Sequence, residues 1–320
     1  MKTPFPLKVL AALTAGGVFA AYYAFYRRPL PRRKGKVSIE GLSAPVTVDW
    51  DSRGIPRIQA QTWLDAWRAL GWVHAQDRPF QLDLQRRVAW GRLSQIFGMR
   101  TLPADRFLRR LGLHRSAAQE WAQADEQEKA MLQAYADGIN AVWSQERRAS
   151  EFHLLGYRPD PWQPQDCYLW VKALAHDLAC NWEYEALRSL FLSEGKLDVL
   201  RLWSLTPPAD MPVTAGGLTQ DSLQSLLHEF EAVKSCLPDG YHPTEPLAGS
   251  NAWAVSGKLS EDGFPLLAND PHLAMKLPDY WYEVMIDLDD LGYHLFGVGM
   301  PGLPGLILGQ NGHLAWGVTN

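Results

Sequence analysis

Over residues 62–97 apolar side chains recur at helical spacing, with Ala66, Leu70 and Val73 in a first series and Phe80, Leu82 and Leu84 in a second. Pro79 falls between the two, where a proline ends one helix or opens the next, so the pattern predicts two helices. Similar periodicity predicts helices over 125–144, 164–193 and 219–236, which makes the middle of the chain largely helical. The flanks read differently. Residues 37–51, with the β-branched run Val46-Thr47-Val48, read as strands, and Gly54-Ile55-Pro56 punctuates them as a short hairpin. From Ser250 onward the apolar runs shorten to 252–255, 265–268, 281–286, 293–298, 306–308 and 313–318, which predicts mostly sheet.

Residues 205–218 and 237–249 are rich in Pro, Gly and small side chains and read as linkers around one short helix, a stretch that is expected to be removable. The chain therefore divides into 1–36, a mostly helical 37–204, a linker or spacer 205–249, and a β-rich 250–320. No internal repeat is visible. With 320 residues, 47% hydrophobic content and 14 tryptophans, the composition is that of a packed globular protein.

Charge narrows the partners. A net charge of −4 and the lack of an interleaved basic and aromatic signature argue against nucleic acid. Residues 9–26 form an uncharged, mostly apolar run of 18 residues followed by Arg27, Arg28, Arg32, Arg33, Lys34 and Lys36. The run is expected to be an uncleaved membrane anchor in preference to a removed signal peptide, although Val18-Phe19-Ala20 offers a small-residue cleavage pattern. The basic cluster behind it reads as a tether, and by the positive-inside rule it would hold the body in the cytoplasm. Three cysteines, Cys167, Cys180 and Cys236, lack metal or redox spacing, and their odd number leaves one unpaired within the chain.

The chemistry centres on Gly249-Ser250-Asn251. By itself this is a turn tripeptide, but it lies where a Pro/Gly-rich linker meets the β-rich region. A cut after Gly249 would leave Ser250 first in a strand, with its hydroxyl and a new α-amino group in one place. An α-amino group of pKa about 7.7–8.0 is substantially neutral near neutral pH, so it can take the hydroxyl proton directly or through a water. Gly249 suits the preceding position because glycine tolerates strained backbone and leaves its carbonyl open to attack.

The run GSNAWAVSGKLSEDGFPLLANDPHL from Gly249, followed by MPGLPGLILGQNGHLAWGVTN from Met300, resembles the start of the catalytic subunit of the penicillin acylase family of N-terminal-nucleophile hydrolases. DSRGIPRI from Asp51, GWVHAQDRPFQLDLQRRVAWGRLSQIFG from Gly71 and AYADGINAVW from Ala134 resemble that family's small subunit. The resemblance covers residue 38 to the end and implies an α+β fold, a four-layered αββα sandwich, here incomplete. It makes 37–204 the small-subunit region and 250–320 the beginning of the catalytic subunit, held together as a processed heterodimer.

Several roles follow from the resemblance. Ser250 would be both the agent of self-cleavage and the mature nucleophile, forming an acyl-enzyme from a small-molecule acyl amide with no organic cofactor. His272 matches a position beside the nucleophile that is histidine in some members and glutamine in others. Asn320 falls where a backbone N–H joins the oxyanion hole, whose second donor, an asparagine side chain, lies far downstream of the nucleophile in the family. Leu273 and Leu308 match positions that wall the acyl pocket, and Glu183 aligns with a ligand of a structural calcium. Members act on penicillins, cephalosporin side chains and acyl-homoserine lactones, and act outside the cytoplasm, so a periplasmic or extracytoplasmic location is expected against the charge rule above. The alternative is a non-catalytic, membrane-tethered binding protein that keeps the acylase fold.

Other motifs carry less. His74, Asp77 and Arg78 share a helix and are expected to make capping and ion-pair contacts. There is no His-Glu-x-x-His motif, Gly257-Lys258 lacks the glycine spacing of a phosphate loop, and Ser256 lacks Ser-x-x-Lys spacing.

Overall fold

A computed structural model describes residues 7–145, 149–178, 191, 219–234, 249–273 and 276–319. The chain opens with helix α1 (Leu7–Tyr22), continued by a π-helical turn over Tyr23–Arg27. Among the described residues no helix is long and apolar enough to cross a membrane. The basic segment behind α1 is docked rather than loose. Arg33 pairs with Asp77 at 2.9 Å and lies over the Trp50 ring, and the Arg32 N–H donates to Gln76 Oε1 at 2.7 Å.

Only Thr47–Trp50 of the stretch expected as strands forms one, β1, which pairs antiparallel with β2 (Pro56–Gln59) as the expected hairpin. Residues 37–46 are irregular because Gly41 turns the chain at φ +83° and Pro45 has no N–H to give a ladder. Helix α2 (Trp63–Asp77) starts where the Thr62 hydroxyl accepts the Asp65 N–H, and it stops one residue before Pro79, the first residue of α3 (Pro79–Trp90). Gly91, in the left-handed conformation, ends α3. The two expected helices are present, and a third short one, Ser94–Phe97, closes the 62–97 region.

Three short helices follow that periodicity does not single out: α4 (Ser94–Phe97), α5 (Leu102–Leu111) and α6 (Leu113–Gln123). Asp105 of α5 accepts the Leu93 and Ser94 N–H groups at 2.7 and 2.8 Å, which satisfies the exposed donors of α4, and Val88, Leu93, Ala104, Phe107 and Leu108 make a small separate core. The next helices are α7 (Glu126–Trp143), capped by Asp125, then α8 (Ser150–Leu154), α9 (Gln165–Leu178) and α10 (Gln220–Lys234).

α2 and α7 pack against each other with backbones in contact. A Cβ at Gly71 would lie 2.1 Å from the Tyr135 carbonyl oxygen, and one at Gly138 would lie 1.9 Å from that of Arg68. Glycine inside a helix costs about 1 kcal/mol, and here the close crossing offsets it by letting Leu70, Val73, Tyr135 and Ile139 share one core with Ile58, Val284 and Ile286. A buried ionic cluster fastens α3. Asp83 accepts from Arg86, from Arg87 at 2.7 Å and from the Tyr157 hydroxyl at 2.8 Å, while Arg86 also donates to the Asp160 and Pro161 carbonyls at 3.0 Å.

Among the described residues two sheets complete the α+β architecture. The larger has six strands in the order β1-β2-β5-β6-β7-β8, where β5 is Tyr282–Leu288, β6 Tyr293–Gly299, β7 Leu308–Gln310 and β8 Ala315–Trp316. β2 pairs parallel with β5, with Arg57 opposite Met285, and the remaining pairs are antiparallel. The expected strand over 306–308 is displaced to Leu308–Gln310, because the Leu306 and Ile307 positions complete the turn after β6. The smaller sheet is a hairpin of β3 (Gly249–Val255) and β4 (Leu266–His272).

Candidate active site

Ser250 is the second residue of β3 and stands opposite Pro271 of β4; Gly249 stands opposite His272. The Ser250 hydroxyl donates to the Gly249 carbonyl oxygen at 2.7 Å, which sets it beside the bond it would cut. The glycine does not act there through strain. Gly249 does not have a positive φ, and a Cβ on it would meet nothing within 4 Å, so neither backbone strain nor crowding requires glycine there.

Strand alternation divides the hairpin residues between two faces, with the predicted Ser250 and His272 on opposite ones. Ser250, Ala252, Asn269 and Pro271 occupy one face of the hairpin, while Asn251, Asp270 and His272 occupy the other. His272, paired with Gly249, neighbours Ser250 along the ladder through its backbone, while its imidazole lies on the other face with Nε2 3.0 Å from Asp270 Oδ2. Leu273, just past β4, packs on the main core.

Leu308 and Pro271 both line an open cleft of about 500 Å³. Val298, Trp281 and Tyr282 continue its wall, and Arg78 closes one side. Of the three residues set aside as structural, His74 is fully buried against Tyr135, Asp77 pairs with Arg33 and accepts from the Tyr282 hydroxyl, and Arg78 sits over the Tyr282 ring. Burial pushes the Tyr282 phenol well up, and the Asp77 charge adds to it, so this end of the cleft holds a neutral phenol.

Asn320 and Glu183 lie outside the described residues, as do Cys180 and Cys236; Cys167 is buried and free. Among the described residues no three His, Cys, Asp or Glu side chains gather as a metal site. What sequence reasoning missed is Asn269. Its side-chain amide donates to the Asn251 carbonyl at 3.0 Å and to the Val318 carbonyl at 2.9 Å, and accepts the Val318 N–H at 2.8 Å. Thr319 adds a hydroxyl donated to the Ser250 carbonyl at 3.1 Å. The available signal was an asparagine, a poor strand former, directly after the aliphatic Leu266-Leu267-Ala268 of the same strand.

Residues 45–320 match the family model described as penicillin amidase. Among curated proteins the chain is 35% identical over 297 residues to penicillin acylase 2 proenzyme of Pseudomonas sp. (strain SE83), covering 91% of this chain and 38% of that protein. It is 35% identical over 309 residues to acyl-homoserine lactone acylase QuiP of Pseudomonas aeruginosa, covering 92% and 35% respectively. Among solved structures, a thermostable penicillin G acylase from Alcaligenes faecalis aligns with a TM-score of 0.44 at 26% identity, over 54% of this chain and 98% of that one. The chain spans little more than a third of the length of these curated relatives.

Proposed function

The chain belongs to the penicillin amidase family, and from that premise we propose that it serves a self-processing amide hydrolase whose nucleophile is Ser250. The observation that carries the reading is the Ser250 hydroxyl, held 2.7 Å from the Gly249 carbonyl oxygen at the start of a regular strand. In self-cleavage Oγ attacks the Gly249 carbonyl carbon and the C–N bond breaks, with the hydroxyl proton passing to the departing nitrogen. The resulting ester is hydrolysed by water to a Gly249 carboxylate and a free Ser250, whose amine is now the base beside its own hydroxyl. The same oxygen then takes the acyl group of a substrate amide, releases the amine and is freed again by water.

The names of the relatives support this reading, one a penicillin acylase proenzyme and another an acyl-homoserine lactone acylase. The substrate class is an acyl amide, its acyl part lying along the cleft walled by Leu308, Val298 and Trp281. After the cut the two products would stay together as a heterodimer, because the six-stranded sheet draws β1 and β2 from one side of Gly249 and β5 to β8 from the other. Export through the N-terminal segment belongs to the same proposal. Expression of the complete reading frame that contains this sequence, followed by intact mass measurement, tests it. The wild type is expected to split after Gly249 and Ser250→Ala to remain whole; a wild type that folds and stays whole sinks the reading.

A further inference from the structure

The segment Gly317–Thr319 lies beyond β8 and has no ladder partner among the described residues, yet the Asn269 side chain holds it against the Ser250 strand. Asn269 uses its amide as a strand uses a peptide group, taking both the N–H and the carbonyl of Val318 while its second amide proton binds Asn251. The reverse orientation of the amide would set its oxygen against two carbonyls, so one arrangement alone satisfies all three contacts. Gly317 is matched to this clasp. A Cβ there would come within 2.6 Å of Asn269 Oδ1 and 2.9 Å of its Cβ, so no other residue fits without moving the segment. The Thr319 hydroxyl on the Ser250 carbonyl ties the same segment a second time, directly to the nucleophile residue.

We infer that Asn269 is a positioning residue, fixing the Gly317–Thr319 segment against Ser250, whose carbonyl accepts the Thr319 hydroxyl. The inference rests on the reading of Ser250 as nucleophile and adds how the backbone of that residue is held in place. Asn251, Asn269, Val318 and Thr319 all lie downstream of Gly249, so the clasp survives the cut that creates the mature site. A misplacement of about 1 Å of a reacting group costs on the order of a hundredfold in rate, and the loss falls on kcat where substrate binding is unchanged.

The test is made in the complete processed protein, with para-nitroanilides acylated by phenylacetyl and by medium-length fatty chains as probes. Asn269→Asp keeps the acceptor for the Val318 N–H but turns its donor into an oxygen facing two carbonyls. It is expected to lower kcat about 10- to 100-fold with KM within about threefold, while the mass split and thermal midpoint are retained. Gly317→Ala, which pushes on the same contact from the other side, should lose kcat likewise. Combined with Asn269→Ala, it should lose less than the product of the single effects, because both act on one contact. A kcat within about twofold of wild type in Asn269→Asp, or losses that multiply in the double variant, would overturn the inference. Failure of the underlying reading looks different: there the wild type itself is neither cut nor active.

Discussion

The Tyr135 hydroxyl accepts the Gly302 N–H at 2.8 Å and lies 2.7 Å from His74 Nδ1, which joins the α2–α7 pair to the loop between β6 and β7. The contact spans Gly249 in the sequence, and Leu308, on the cleft wall, follows this loop by a few residues. Because the phenol oxygen accepts from Gly302, its proton is free to go to His74 Nδ1. Tyr135→Phe should leave the Gly302 N–H and His74 Nδ1 buried without partners, at about 1–3 kcal/mol for each. Denaturant unfolding of the variant, with the slope unchanged, is the measurement; a midpoint equal to wild type would show that the loop holds without the phenol.

Burial, helped by the nearby Arg78 charge, lowers the His74 pKa to about 3 from an ordinary 6.5. The unfolded chain therefore binds more protons than the folded one between these values. Stability is full above pH 6.5 and falls by up to about 1.4 kcal/mol for each pH unit below it until about 3. His74→Gln, which cannot titrate but can still accept from Tyr135, is expected to flatten the acid limb of the stability profile. An unchanged limb would assign the acid sensitivity to other groups.

Asp83 is fully buried and answers two arginines and a tyrosine. Asp83→Ala leaves Arg86 and Arg87 as buried charges short of a partner, and a loss of about 3–5 kcal/mol is expected. Asp83→Asn keeps the shape and should lose less. Thermal unfolding of both variants measures the difference, and equal losses would mean that shape and not charge matters at this position.

His272 and Asp270 form a pair on the hairpin face turned away from the Ser250 side chain. His272→Gln is expected to lower kcat/KM about tenfold, short of the hundredfold or more that a lost general acid or base costs, with the fold intact by circular dichroism. Asp270→Asn should act in the same direction and more weakly, because it loosens the imidazole without removing it. Kinetics identical to wild type in both would remove His272 from the site.

Much of the local structure was legible in the chain. The α2–α3 boundary followed from apolar spacing and Pro79, and α7 from its periodicity and the Asp125 cap. Helices α5 and α6 were not, because they are short and bury little, with Ala104, Phe107 and Leu108 on one and Ala117 on the other. The strand expected over 37–46 failed because Gly41 and Pro45 interrupt it, although its Val residues pack on the core. Ser250 stood out because a hydroxyl at a linker-to-strand boundary is a local property.

Sequence alone determined the family resemblance, the position of the candidate nucleophile and the period of each long helix, all of which depend on residues within a turn or a strand of one another. Tertiary structure decided which of these meet. The clasp of Asn269 on Val318 joins residues 49 apart, the parallel pairing of β2 with β5 brings Arg57 to Asp287 across 230 positions, and the Tyr135–Gly302 contact spans 167. No periodicity encodes such pairings, because each is set by how helices, sheet and hairpin pack once the shared core around Leu70, Tyr135 and Ile286 has closed.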